Sequence, residues 1–104
     1  MIAVKVAYTV DEQFVNRNIE MIQSFLTDFK ALDSTQFDYS VFQSKDNITF
    51  THVSKYANKE VQSKLLGTPS FLHFQEQRDK HLTSEPRIEI LNFIGSSENL
   101  AFRD

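Results

Sequence analysis

The chain is expected to fold as an α+β domain of ferredoxin-like βαββααβ order, with a four-stranded antiparallel sheet carrying all its helices on one face. Three observations lead there. Residues 2 to 10 alternate side by side as a strand does, and a long apolar stripe of helical period follows directly. Two more alternating runs then flank a turn, ahead of two short helical segments and a last alternating run.

Each element has a local reason. In the first strand Ile2, Val4, Val6, Tyr8 and Val10 share one side, and Ala3, Lys5, Ala7 and Thr9 the other. Asp11 is placed to cap a helix running to about Leu32, along which Val15, Ile19, Ile22, Leu26 and Phe29 recur at intervals of three and four, widened by Phe14 and Phe25. Phe37, Tyr39 and Val41 alternate into the turn residues Lys45-Asp46-Asn47, and Ile48, Phe50 and His52 alternate on the way back, which predicts a hairpin. Asn58 can cap a short helix carrying Val61 and Leu65 and ended by Gly67. Thr68 and Pro69 read as the N-cap and first residue of the next helix, with Phe71, Phe74, Arg78 and Leu82 on one side. Pro86 opens the last strand, where Ile88, Ile90, Asn92 and Ile94 oppose Glu89, Leu91 and Phe93. The domain is therefore expected over residues 1–95, with a tail at 96–104 that lacks any period.

Composition narrows the function classes. The 104 residues are 40% hydrophobic and 24% charged, with 10 Phe against 2 Gly, which suits a single packed core. Cysteine is absent, so disulfides and thiolate chemistry are not available, and a reducing cytoplasm is the expected setting. The alternating N-terminus does not read as a signal peptide, and no apolar run is long enough for a membrane span. Net charge is −3 with the basic residues scattered, so no nucleic-acid footprint is present. Phosphate-cradling glycine loops and nucleophile elbows are absent too.

The two strand faces differ in polarity. Val4, Val6, Phe37, Val41, Phe50 and Ile90 form the more apolar side, expected beneath the helices. Ala3, Ala7, Phe42, Val53, Leu91 and Phe93 leave the other side unusually apolar for an open sheet, and a second copy packed sheet to sheet would cover it. A homodimer is the expected assembly. The competing arrangement is a monomer whose tail covers that face.

Residues 50 to 71, FTHVSKYANKEVQSKLLGTPSF, and 86 to 97, PRIEILNFIGSS, resemble the antibiotic biosynthesis monooxygenase family of small dimeric α/β barrels. There an alternating strand ends in an aromatic, runs into a short helix and reaches a Pro-x-Phe that opens a second one; Phe50, His52, Tyr56, Pro69 and Phe71 occupy those places. The resemblance implies a pocket inside each subunit, lined by the helix-facing side of the strands, and chemistry without metal or flavin. His52 and Tyr56 match places where the quinone-forming members carry a polar side chain and a tryptophan, and this chain has no Trp. A haem-degrading branch uses a helix histidine and a tryptophan where this chain has Gln75 and Leu65, so haem degradation is a distant third reading.

His52 is the candidate catalytic base, and Tyr39, Tyr56, Asn92 and Arg78 are the candidate substrate-binding residues. A cofactor-free oxygenase must make its substrate an electron-rich phenolate or carbanion, and a neutral histidine in apolar surroundings can take the proton. Tyr39, Tyr56 or Asn92 would hold substrate oxygens and Arg78 would steady negative charge. Tyr39 stands beside His52 if the turn pairs Ser44 with Asn47. His73 and His81, eight apart, lie too far from each other for a shared metal and read as surface. The alternative reading makes all of these packing residues of a non-catalytic dimeric barrel that binds a small apolar ligand or a partner.

Overall fold

A computed structural model describes residues 1–98. The element order is β1 (Ile2–Thr9), a short 3-10 turn (Glu12–Phe14), α1 (Val15–Phe29), β2 (Phe37–Gln43), β3 (Thr49–Tyr56), α2 (Lys59–Leu66), α3 (Pro69–Asp79) and β4 (Arg87–Leu91). The four strands form one antiparallel sheet in the order β2-β3-β1-β4. This is the expected βαββααβ ferredoxin-like arrangement. Residues 92–98 add no helix or strand, and the rest of the expected tail, 99–104, lies outside the described residues.

Side chains set the ends of the helices. The Asp11 carboxylate accepts from the Phe14 amide at 3.1 Å, but a 3-10 turn intervenes before α1, which ends at Phe29, short of Leu32. Of the expected stripe, Phe14, Ile22, Phe25 and Phe29 are buried, joined by Asn18 and Met21, while Val15, Ile19 and Leu26 are only partly buried. Phenyl rings carry more apolar area than Val or Ile, so the helix rolls to sink the Phe positions first. Asn58 caps α2 through its Oδ1, which accepts from Val61 N at 2.9 Å. Thr68 precedes α3 as expected, but it serves through its carbonyl, which accepts from the amides of Phe71 and Leu72.

The hairpin register differs from the expected one by two residues. Ser44 pairs with Thr49, so Tyr39 stands opposite Ser54 and Val41 opposite His52. Asp46 stabilises this wider loop by accepting from the amides of Ile48 and Thr49 and from the Thr49 hydroxyl, and Asn47 takes φ 69°, which asparagine tolerates. A slip of two keeps every side chain on its face, so Tyr39 still shares the helix side with His52, now diagonally.

The edge strand corrects a second expectation. Val4 pairs with Ile90 and Val6 with Ile88, which puts both isoleucines on the helix side, yet they remain 67% (Ile88) and 75% (Ile90) exposed. The helices cover β1 to β3, and the strand ends at Leu91, before Asn92 and Ile94. On the other face Ala3 and Ala7 are buried between longer cross-strand neighbours such as Lys55, Leu91 and Arg87, while Phe42 is 60% exposed. Lys5–Glu89 and Lys55–Asp38 ion pairs cross this face at 4.0 and 3.7 Å, so it is mixed rather than purely apolar.

Candidate functional site

The core between helices and sheet contains a chain of four polar side chains. His52 sits on β3 between Val6 of β1 and Val41 of β2. Tyr8, opposite Phe50, reaches it diagonally from one side, and Tyr39, opposite Ser54, from the other. The two hydroxyls meet the two ring nitrogens: Tyr8 Oη lies 2.7 Å from Nε2, and Tyr39 Oη 2.7 Å from Nδ1. Asn18 of α1 extends the chain, its Nδ2 donating to Tyr8 Oη at 3.1 Å.

Aromatic rings wall this chain off from water. Phe25 and Phe74 lie 6.2 and 5.6 Å from the His52 ring, centroid to centroid, and His52 is 3% exposed. The Arg78 guanidinium sits 5.0 Å from the Tyr8 ring centre and 5.2 Å from that of Phe74, while its Nε and Nη2 donate to Asp79 Oδ1. Arg78 thus lies over aromatic faces with a carboxylate partner from its own helix, a partly desolvated cation beside the polar chain.

Burial decides the charge states. Loss of hydration, helped by the Arg78 charge, pushes the His52 imidazole down from 6.5 to about 3. Burial likewise pushes the Tyr8 hydroxyl up to about 12, against the Asn18 hydrogen bond and Arg78. Tyr39 is pushed well above its ordinary range by burial and then by the neighbouring Tyr56 and Tyr8, with Arg78 opposing. The site at neutral pH is therefore an uncharged imidazole between two uncharged phenols, with one cation above them.

Of the expected residues, the structure brings Tyr39 and Arg78 to His52. Tyr56 is buried on the same side of β3, but four residues along the strand, ~13 Å away, where burial raises its hydroxyl and Ser54 bonds it. Asn92 is not brought in: it follows the end of β4 and is exposed. His73 is exposed, and His81 stacks on Phe14 at 4.1 Å and pairs with Asp11 at 2.9 Å, away from this chain. Tyr8 and Asn18 were missed. The signal for Asn18 was there, an amide four residues from both Phe14 and Ile22 inside an apolar stripe. Tyr8 was readable as the residue on the face of Val4 and Val6 with a polar tip needing a buried partner.

Tyr39 lines a cleft of about 350 Å³ together with Leu26, Phe29, Lys30, Ser34, Phe37 and Asp38. That volume suits a single small aromatic molecule, with apolar walls and a lysine at its edge.

No family model and no curated protein matches the chain by sequence. Solved structures do match. A candidate antibiotic biosynthesis monooxygenase from Bacteroides thetaiotaomicron superposes with TM-score 0.81 at 10% identity, covering 94% of this chain and 93% of its own. Another from Caulobacter crescentus gives 0.77 at 18% identity over 90% of each chain. A third, from Nitrosomonas europaea, gives 0.77 at 12% identity over 89% of each. The chain has the fold of the antibiotic biosynthesis monooxygenase structures over about nine-tenths of its length.

Proposed function

We propose that this chain is a cofactor-independent monooxygenase acting on an aromatic or quinol-like small molecule, with His52 receiving the substrate's proton through Tyr39. The observation that carries this reading is the neutral imidazole bonded at 2.7 Å to a tyrosine that also lines a cleft. A ligand O–H in that cleft gives its proton to Tyr39 Oη as the Tyr39 hydrogen passes to His52 Nδ1, leaving the ligand an electron-rich anion. Arg78 favours negative charge forming nearby. Dioxygen is the oxidant: an activated methylene becomes a carbonyl, one oxygen atom stays on carbon, the other leaves as water, and the substrate supplies all the electrons.

A thermal-shift panel of phenols, quinols, anthrone-like compounds and haem tests this, followed by oxygen uptake for each hit. A binder raises the melting temperature in proportion to its occupancy of the native state. Oxygen uptake that persists in chelator supports the reading; binding without uptake by any phenolic compound supports a non-catalytic barrel instead. That second reading is favoured by the close packing of His52, both of whose ring nitrogens are already bonded.

The working form in this reading is a homodimer joined through the sheet face that bears Phe42, Val53 and Leu91, with the expected Phe93 following the end of β4. Light scattering is expected to give twice the chain mass. Val53 sits next to Lys5 and Ser40 in the middle of that face, so Val53→Lys adds a further cation beside Lys5 and is expected to give monomer or aggregate. A wild-type monomer at micromolar concentration removes this assembly.

A further inference from the structure

The hydrogens of the buried chain can be counted. Tyr8 Oη receives an amide hydrogen from Asn18, so its own single hydrogen goes to His52 Nε2. A neutral imidazole that accepts at Nε2 carries its proton on Nδ1 and donates it to Tyr39. Tyr39 then turns its own hydroxyl hydrogen away from His52. In this state Tyr39, a residue of the cleft wall, is a donor to a molecule that reaches its hydroxyl, suited to an oxygen anion or a carbonyl.

The far end of the chain holds an anomaly. Asn18 is 0% exposed, and its Oδ1 has no hydrogen-bond partner among the described residues. No hydrogen bond among the described residues holds Oδ1, and a half-turn about the Cβ–Cγ bond presents it to Tyr8 in place of Nδ2. Every bond then reverses: Tyr8 donates to Asn18, Nε2 donates to Tyr8, and Nδ1 becomes a bare acceptor for the Tyr39 hydrogen. Tyr39 now offers the cleft an oxygen lone pair, which a ligand O–H requires.

We propose that Asn18 is a positioning residue whose amide orientation sets which nitrogen of His52 carries the proton, and so whether Tyr39 acts on a bound molecule as donor or acceptor. The inference deepens the oxygenase reading and rests on it only for its use in turnover. It assigns to one buried amide the direction of proton movement: toward His52 while the substrate is deprotonated, and outward when an oxygen anion has to be protonated.

The test is the 15N NMR signature of the His52 ring in histidine-labelled protein, assigned by the resonances lost in His52→Gln. The ligand-free protein is expected to show a single tautomer with the proton on Nδ1. Asn18→Asp, read at a pH where its carboxylate is ionised and therefore only accepts, is expected to move the proton to Nε2. Asn18→Leu, which offers neither group and keeps the volume, is expected to lose the single-tautomer signature and give a mixture. It also serves should the buried carboxylate prevent folding. An unchanged tautomer in the folded variants overturns the inference. Because this signature needs no turnover, a protein inert toward oxygen but with a switched tautomer fails only the oxygenase reading. Normal uptake with an unmoved tautomer fails only this one.

Discussion

His52→Ala is expected to lower oxygen consumption ~10²- to 10⁴-fold, the usual worth of a positioned general base. Tyr39→Phe should lose nearly as much, because the two groups act in series, and the double variant should be little worse than either alone. The alanine also leaves two buried tyrosine hydroxyls without their partner, at ~1–3 kcal/mol each. His52→Gln is therefore the control for folding, since its amide can both donate and accept. Folded His52→Gln protein that retains full activity would refute the assignment of His52 as base.

The second large effect is on acid stability. The folded His52 imidazole lies near 3 and the unfolded one near 6.5, so between those values the unfolded chain binds the extra proton. Stability is then complete above 6.5 and falls as pH drops, by ~1.4 kcal/mol per pH unit and ~2.7 kcal/mol two units down. Asp33 and Asp46 are held below 3.8 by bonds from Thr35 and Thr49, so their protonation enters only at lower pH. Urea titrations between pH 4 and 7 should show this slope in wild type and a flatter one in His52→Gln. Equal slopes would mean that the imidazole is not buried uncharged. At the other extreme Tyr8 acts with opposite sign: its folded value of about 12 exceeds the ordinary 10.0, so it supports the fold up to about pH 10 and ceases to as pH rises through 12. Activity, by contrast, should show no histidine limb near neutral pH, because His52 stays unprotonated down to about 3.

Much of this was legible in the residues. Alternation in 2–9 and the Pro69 start of α3 fixed their elements because period and backbone chemistry act locally. The hairpin was readable but its register was not, since the wider loop depends on three bonds gathered by Asp46. The extent of β4 was overestimated: Asn92 and Ile94 continue the pattern, yet alternation cannot show how far a neighbouring strand extends to pair with them. At the site, His52, Tyr39 and Arg78 were visible as polar groups on apolar faces. Tyr8 stood out only as part of a strand face and Asn18 not at all, because their role exists only once elements distant in sequence converge.

The place of β1 in the sheet sets the order in which the molecule can assemble. The first strand lies between β3 and β4, with Ile2 against Tyr56 and Ala3 against Leu91. Both partners come from far along the sequence, whereas the β2–β3 hairpin closes over a short loop on a microsecond scale. During synthesis the strand made first must therefore wait for the one made last, leaving an open edge of unpaired amides and carbonyls in the meantime. A chain interrupted before Pro86 keeps that edge, and with it a template for pairing between copies.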